Sequence, residues 1–259
     1  MLEEPMEGNS SVTRKRVAIM GAGVTGLYAL RHFGDDSKSK LVAYEVQNRL
    51  RGVWNYPPGC EDFPDAPITS EHYCRMYRGM RVNAPRDLNR FPELPLHDSS
   101  DDSYVSRESF QSHLHEYGQK CDLNRFVKLR HRVNFLEPLN SEAGPCRWRL
   151  FIEDLTSQSV AEEVFDIVLV CNGRHEKLHL PNLPGLNSFR GPVIHSAHYR
   201  SSEAYADKSV LIVGGATSAN DIALELLPVA KKVTMCRRRQ LNIFPKEQFP
   251  NIIESSTDV

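Results

Sequence analysis

Residues 17–26 read Val-Ala-Ile-Met-Gly-Ala-Gly-Val-Thr-Gly, and this stretch decides the fold. An apolar run that stops at glycine is typical of a buried parallel strand. A helical pattern follows from about Thr25 to Phe33, and a second apolar strand is predicted over Leu41–Tyr44, ending at Glu45. The sequence therefore predicts a β-α-β unit with a glycine-rich turn between its first strand and its helix.

The glycine spacing is that of a dinucleotide-binding turn, Gly21-x-Gly23-x-x-Gly26. The first glycine makes the tight bend, the second lets the backbone approach a pyrophosphate, and the third lets the helix pack closely. Glu45 ends the second strand, where a carboxylate accepts hydrogen bonds from ribose hydroxyls and repels a 2′-phosphate. FAD or NAD fits this site and NADP does not. The alternative is a chance glycine-rich turn, but strand, helix and acid all stand at the required places.

A second unit of the same kind lies at Val210–Ala219, which aligns with the first without gaps. Three arginines, Arg237, Arg238 and Arg239, follow its second strand, and Arg238 has the same offset from Gly214 that Glu45 has from Gly21. A positive charge in place of a negative one is the change expected for a 2′-phosphate, so this unit predicts an NADPH site. The alternative is a solvated basic loop.

The rest of the chain is predicted to connect these units. Residues 1–15 are expected to be a disordered leader, and residues 52–104 to form long ordered loops with a few short helical turns. A helix is predicted over Arg107–Gln119 with Ser106 as its N-cap. The predicted strands of a small β layer are Val127–Val133, Arg147–Glu153 and Val160–Phe165. Later predicted elements are a strand over Phe165–Cys171, a linker over Pro181–Gly191, a strand over Val210–Val213, a helix over Ser218–Leu227 and a strand over Val233–Cys236.

Between the two units stands Phe189-x-Gly191-x-x-x-His195-x-x-x-Tyr199, which resembles the fingerprint of flavin-containing monooxygenases. Three further segments resemble that family's Gly-Gly-x-Trp, Thr-Asn and Ser-Gly-x-Asp motifs: Gly52–Trp54, Arg81–Pro85 and Ser218–Asp221. The resemblance runs from about residue 16 to residue 250. It is closer to the N- and S-oxygenating branch than to the Baeyer–Villiger branch, because Arg200 stands where the latter has proline.

The resemblance implies an α/β fold with two Rossmann-like units. A three-layer FAD-binding domain with a small β layer is expected over residues 16–185, and an incomplete NADPH-binding domain over residues 186–259. The implied reaction is NADPH-dependent oxygenation of an amine or sulfide by a C4a-hydroperoxyflavin, formed from reduced FAD and molecular oxygen. Asn83 matches the family's active-site asparagine, and the alternative is that it caps the turn before Pro85.

The candidate cofactor contacts follow from the same motifs. Those expected for FAD are Gly21, Ala22, Gly23, Val24, Thr25, Gly26, Glu45, Gly52, Val53, Trp54, Val82, Asn83 and Ala84. Those expected for NADPH are Gly214, Ala216, Thr217, Ser218, Ala219, Asn220, Asp221, Arg237, Arg238 and Arg239.

Three departures from the family pattern bear on activity. Arg51 replaces the first glycine of Gly-Gly-x-Trp, and Ala216 adds a Cβ where a pyrophosphate should approach. Family members are much longer, whereas this sequence ends at Val259 after two strands of the second unit. A two-stranded parallel stub cannot bury both its faces, so the C-terminal third is expected to be exposed and weakly stable. A truncated, catalytically inactive fragment or isoform is therefore the alternative to an active enzyme.

Composition excludes several classes of protein. With 40% hydrophobic and 25% charged residues and a mean hydropathy of -0.44, the chain has ordinary globular composition, and we expect no transmembrane segment. A net charge of -1 provides no overall electrostatic attraction to nucleic acid. The polar start of the chain does not resemble a signal peptide. We expect a cytoplasmic protein, or one peripheral on the cytosolic side of the endoplasmic reticulum as many relatives are, with a homodimer as one arrangement to test.

Cysteine and histidine spacing disfavour other chemistries. The 6 cysteines form no C-x-x-C pair, which argues against a secreted disulfide framework, a cysteine zinc site and a flavin disulfide reductase. His195 and His198 are better explained by the linker motif than by a metal, so no metal is expected. A single-nucleotide dehydrogenase would need neither the second unit nor that motif.

Overall fold

The computed structural model describes residues 14–50, 52–56, 75–98, 102–139, 144–174 and 178–237. The described helices are α1 (Val24–Gly34), α2 (Arg86–Asn89), α3 (Arg107–Lys120) and α4 (Thr217–Leu226). The strands are β1 (Lys15–Met20), β2 (Ser39–Glu45), β3 (Val127–Leu129), β4 (His131–Leu139), β5 (Arg147–Asp154), β6 (Val160–Phe165), β7 (Ile167–Val170), β8 (Ser209–Val213) and β9 (Lys232–Cys236).

The first of two compact units consists of Met1–Leu50 and Gly118–Gly173. It contains a parallel sheet in the order β3-β2-β1-β7 and an antiparallel sheet in the order β4-β5-β6. Because successive side chains of a strand point to opposite faces, each strand of the parallel sheet can contribute to two cores. Ala18 and Tyr44 pack with Leu150 and Phe165 of the antiparallel sheet, while α1 packs against β1 and β2. This unit therefore has a helix, a parallel sheet and an antiparallel sheet in three layers, and the predicted α/β fold class is confirmed.

One predicted strand of the small β layer, Val127–Val133, is wrong. Arg130 has a φ of 55°, and this left-handed residue breaks the run into β3 and β4. Its N–H donates to the Gln47 carbonyl at 3.1 Å, which fixes the break beside the end of β2. As a result β3 joins the parallel sheet and only β4 joins the antiparallel one.

The predicted leader is also too long by its last residue. β1 begins at Lys15, whose N–H donates to the Lys38 carbonyl at 2.8 Å. Residues 1–13 lie outside the described part of the chain, so the prediction of disorder there stays a prediction.

The second unit consists of Arg51–Tyr117 and Arg174–Val259. β8 and β9 form a parallel pair, and α4 packs on one face of it through Ile222 and Leu226. On β8, Leu211 and Val213 remain 61% and 53% exposed. This confirms the expectation that the pair cannot bury both faces, whereas its weak stability stays a prediction.

The loops of the second unit agree with the prediction where they are described. Within residues 52–56, 75–98 and 102–104 the structure has a 3-10 turn at Gly52–Trp54 and the short helix α2. The predicted helix after them is confirmed as α3, and the Ser109 N–H donates to the predicted N-cap Ser106 Oγ at 3.1 Å. No helix in the described residues is long and apolar enough to cross a bilayer. The cofactor domains predicted over 16–185 and 186–259 are a different division from these two units and stay a prediction.

Candidate dinucleotide sites

The first glycine-rich turn admits only glycine at two of its positions. Gly21 has a φ of 95°, and a Cβ there would lie 2.7 Å from the Cys171 carbonyl oxygen. A Cβ on Gly26 would lie 2.0 Å from the Gly21 carbonyl oxygen. These approaches bring the start of α1 against the end of β1. No side chain caps α1 at Gly23, so its first N–H groups, around Val24 and Thr25, can receive an anionic ligand.

Glu45 is held at this turn by backbone donors. Its side chain is 5% exposed, and its two oxygens accept the Ala22 N–H at 2.7 Å and the Gln47 N–H at 2.8 Å. Burial raises the pKa of the Glu45 carboxyl, and the backbone N–H groups oppose that rise by favouring the charged form. Each oxygen keeps a second lone pair, so the carboxylate can still accept a hydroxyl of a ligand. The structure thus brings Gly21–Gly26 and Glu45 together within the first unit.

The second turn repeats the first in its backbone pairing. The Gly21 N–H donates to the Tyr44 carbonyl at 2.8 Å, and the Gly214 N–H donates to the Cys236 carbonyl at 2.9 Å. Gly214 also has a positive φ, 141°. The strand registers agree, because Met20 pairs with Tyr44 as Val213 pairs with Cys236.

This register corrects one residue of the sequence prediction. The residue after Tyr44 is Glu45, and the residue after Cys236 is Arg237. Arg237 therefore takes the place of Glu45 in the second unit, because this unit is one residue shorter between turn and strand end. Only the correspondence of Arg238 with Glu45 is wrong, and contact of Arg238 with NADPH stays a prediction. Arg237 is exposed, and Arg238 and Arg239 lie outside the described residues.

The alanines of the second turn are accommodated. Ala216 stands before α4 where Gly23 stands before α1, again without a side-chain cap. The Ala219 Cβ is 3.8 Å from where a Cβ on Gly214 would lie, an ordinary contact distance. The Asn220 Oδ1 is buried and has no hydrogen-bond partner among the described residues, so a donor from a ligand would satisfy it. Of the remaining candidates on α4, Thr217 and Ser218 are exposed and Asp221 is half-buried.

The Gly52–Trp54 turn is anchored on α3 within the second unit. Gly52 has a φ of 54°, and the Trp54 ring meets Phe110 edge-on at 4.5 Å between centroids. Val53 is exposed. The guanidinium of Arg107, itself buried, lies 3.7 Å from the Tyr56 ring centroid. Sequence reasoning missed the supporting role of α3, and Arg51 lies outside the described residues.

Asn83 is presented at the surface of a firmly held turn. The neighbouring Val82 is buried and donates its N–H to the Val105 carbonyl at 3.1 Å. The Asn89 amide donates to the Ala84 and Pro85 carbonyls at 2.8 and 3.1 Å. Asn83 itself is exposed and has no hydrogen bond among the described residues. The described contacts of this turn thus come from Val82 and Asn89, and both interpretations of Asn83 stay predictions.

The linker motif forms a folded connection within the second unit. His195 Nδ1 accepts the Ala197 N–H at 3.1 Å, and burial, with His198 and Arg75 nearby, lowers the pKa of the His195 imidazole. Tyr199 is buried against Tyr77 with 5.4 Å between ring centroids. Within the described ranges no three side chains of metal-binding type come together.

Two buried or half-buried charged residues, Arg200 and Glu225, make long-range contacts that the sequence did not predict. The Arg200 guanidinium donates to the Ala197 and Tyr199 carbonyls at 2.7 and 2.9 Å, and to the Met76 carbonyl at 3.4 Å. The Glu225 carboxylate on α4 lies beside Gly79, where an added Cβ would come within 2.4 Å of its Oε1. Neither residue stands in a turn or strand-end motif, so only long-range contacts reveal them.

Comparison with known proteins identifies relatives of this chain in sequence and in structure. The sequence matches the flavin-binding monooxygenase-like family over residues 14–248. It is 30% identical over 240 residues to flavin-containing monooxygenase FMO GS-OX-like 3 of Arabidopsis thaliana, covering 89% of this chain and 53% of that protein. S-allyl-L-cysteine S-oxygenase from Allium sativum superposes with a TM-score of 0.73 at 26% identity, over 90% of this chain and 53% of the other. Tmm from Pelagibacter sp. strain HTCC7211 gives a TM-score of 0.72 at 26% identity, over 87% and 51%. The chain spans about half the length of these relatives.

Proposed function

The chain belongs to the flavin-binding monooxygenase-like family, and we propose that it binds FAD and NADPH and oxygenates a soft nitrogen or sulfur nucleophile. The similarity to an S-oxygenase favours a sulfide over an amine as the first substrate to try. Location in the cytosol or at the endoplasmic reticulum surface, and a homodimer, belong to the same proposal. Cell fractionation and light scattering test them.

The observation that carries the proposal is the Glu45 carboxylate beside the first glycine-rich turn. It is buried, fixed by the Ala22 and Gln47 N–H groups, and has acceptor capacity left for ribose hydroxyls. The uncapped start of α1 offers N–H groups to a pyrophosphate. The residues present therefore fit FAD, and a 2′-phosphate would meet a negative charge at Glu45.

The second turn supports NADPH. Arg237 occupies the place of Glu45 and offers a guanidinium to a 2′-phosphate. The start of α4, which no side chain caps, would hold the pyrophosphate. The Asn220 Oδ1, which has no partner among the described residues, would accept a ribose hydroxyl.

When bound, FAD would supply the redox chemistry: it would accept two electrons as a hydride from NADPH and, once reduced, would react with molecular oxygen. The protein contributes binding and orientation. Asn83 provides an amide that can both donate and accept hydrogen bonds, and the Asn89 contacts keep its turn in place. No side-chain base is required, because the substrate arrives as a neutral nucleophile.

A second candidate function is nucleotide binding without turnover. The chain spans about half of its relatives, and Leu211 and Val213 leave one face of the β8–β9 pair uncovered. A catalytically inactive fragment or isoform would have these properties.

The visible absorption spectrum of the purified chain separates the two functions. After incubation with FAD and desalting, an active enzyme shows flavin bands that bleach with NADPH and return under air with consumption of a sulfide. Flavin bands that persist with NADPH indicate the inactive form. A colourless protein would refute the FAD site.

A further inference from the structure

Arg200 directly follows the linker motif, and its guanidinium is buried although it carries a charge. Burying a charge costs free energy unless hydrogen bonds compensate for it. The Arg200 Nη1 donates to the Ala197 carbonyl at 2.7 Å and to the Tyr199 carbonyl at 2.9 Å. Since these carbonyls belong to the end of the linker motif, the side chain of Arg200 fixes the conformation of the chain at its own position.

A second set of contacts joins Arg200 to residues 76–83, which we name the 76–83 segment. The Arg78 N–H donates to the Arg200 carbonyl at 2.7 Å. The Arg200 Nη1 also donates to the Met76 carbonyl at 3.4 Å, near the upper limit for a hydrogen bond. The main chain and the side chain of Arg200 therefore hold the peptide groups on the two sides of Tyr77.

The side chain of Tyr77 packs on the second nucleotide unit. It is buried, and its ring meets the ring of Tyr199 with 5.4 Å between centroids. Both tyrosines belong to one cluster with Ile222 and Leu226 of α4, the helix that starts at the second dinucleotide turn. Apolar packing permits sliding, whereas the hydrogen bonds of Arg200 fix the position of the backbone.

An ion pair at the surface joins the same parts of the chain. The Arg78 Nη1 lies 2.9 Å from the Glu203 Oε1, and both side chains are more than half exposed. Exposed ion pairs contribute little to stability, whereas the guanidinium of Arg200 is buried. The polar attachment of the 76–83 segment therefore depends on Arg200 more than on this pair.

We propose that Arg200 is a positioning residue that fixes the span between the second dinucleotide turn and Asn83, the last residue of the 76–83 segment. The inference rests on the proposed function, which places the NADPH pyrophosphate at the start of α4 and Asn83 in the active site. The length of NADPH between its pyrophosphate and its nicotinamide is limited, so the span has to match it. Arg200 sets this span because it attaches the segment to the cluster that packs on α4.

The test compares the binding of NADP⁺ and of 2′-phospho-ADP-ribose, which lacks the nicotinamide, by calorimetry on the chain incubated with FAD. Arg200→Met keeps an apolar stem and removes the donors. We expect it to raise the Kd for NADP⁺ about fivefold, the effect of one hydrogen bond, and the Kd for 2′-phospho-ADP-ribose by less than about twofold. Asn83→Ala should have the same selective effect, and the double variant should bind NADP⁺ no more weakly than either single variant, because both changes remove one interaction. Glu203→Ala, which removes the exposed ion pair, is the matched control and should bind both ligands as the unchanged chain does.

The contrary results are distinguishable. An unchanged Kd for NADP⁺ in Arg200→Met, or equal weakening of both ligands, would refute the positioning role, and the second result would assign Arg200 to the general stability of the unit. Additive effects of Arg200→Met and Asn83→Ala would show that Arg200 does not act through Asn83. Absence of binding of both ligands to the unchanged chain would refute the proposed function of the second unit, and the positioning role with it. If Arg200→Met does not fold, Arg200→Lys replaces it and should show the same selectivity, because its shorter side chain cannot reach the Met76 carbonyl.

Discussion

Replacing Gly26 by alanine tests the close packing of the first dinucleotide turn. The new Cβ would lie 2.0 Å from the Gly21 carbonyl oxygen, whereas carbon and oxygen come into contact at about 3.3 Å. The Gly21 backbone has little room to move away from the new Cβ, because Gly21 is itself packed closely against the Cys171 carbonyl. The start of α1 must therefore move away from β1 by more than about 1 Å, which opens the turn that we assign to the pyrophosphate.

The expected cost combines two opposing effects. Overpacking of this kind costs typically about 1–3 kcal/mol, and the overlap here places Gly26→Ala at the upper end. The higher helix propensity of alanine stabilises the folded state by at most about 1 kcal/mol relative to glycine. We expect a net loss of about 2 kcal/mol in the free energy of unfolding of the first unit. FAD binding should also weaken, by about tenfold, because the displaced start of α1 no longer presents its N–H groups to the pyrophosphate in the same place.

Tryptophan fluorescence can report on this unit alone. The chain has 2 tryptophans, and Trp148 packs against the core of the first unit, so urea unfolding in a Trp54→Phe background follows that core. Gly118→Ala on α3 is the matched control, because its Cβ would meet only the mobile end of Leu50 at 3.3 Å. We expect it to unfold at or slightly above the midpoint of the unchanged chain. A Gly26→Ala variant that matches the control and retains FAD would refute the reasoning.

Three further predictions concern charged and titratable groups. Glu45→Gln should weaken FAD binding about tenfold in a flavin-fluorescence titration, because one amide cannot accept from both backbone N–H groups that the carboxylate satisfies. Arg237→Ala should raise the Kd for NADPH about tenfold relative to that for NADH, and Arg238→Ala should change this ratio by less than about threefold, because the strand register gives Arg237 the position in the second unit that Glu45 has in the first. His113→Phe should flatten the loss of stability between pH 7 and pH 5.5. This imidazole is only 3% exposed, and burial lowers its pKa in the folded state. As the pH decreases, the unfolded state therefore takes up a proton before the folded state does. The free energy of unfolding then decreases by at most about 1.4 kcal/mol for each pH unit of acidification.

Each of these has a contrary outcome. Unchanged FAD affinity in Glu45→Gln would place the ribose elsewhere. A larger effect of Arg238 than of Arg237 would mean that the 2′-phosphate reaches beyond the strand end. An unaltered pH dependence in His113→Phe, measured by urea unfolding at both pH values, would assign the acid sensitivity to other groups.

The elements that the sequence predicted well are those governed by local constraints. Gly21 and Gly26 are glycines because of a positive φ and of contacts made within or beside one turn. The helix at Arg107–Gln119 was predictable from Ser106 and a local pattern, and it is confirmed with one further residue. Such requirements act over a few residues, so they leave a readable pattern.

The errors arose where distant segments compete for the same residues. The apolar run at Val127–Val133 has the pattern of one strand, and it is divided because Arg130 bonds to the end of β2 and sends the two parts to different sheets. Likewise, equal spacing favoured Arg238, whereas strand pairing selected Arg237. The residue pattern of a strand does not determine which other strand will pair with it. Nor does it determine how many residues will connect the two strands.

The sequence by itself therefore determined the two β-α-β units, their order and the sign of charge at each strand end, because glycine geometry and strand periodicity are local properties. Only the tertiary structure decided which arginine takes the position in the second unit that Glu45 has in the first, and that the Arg200 guanidinium reaches the Met76 carbonyl. These relations join residues far apart in the chain, and their hydrogen bonds exist only once the strands have paired and the loops have packed.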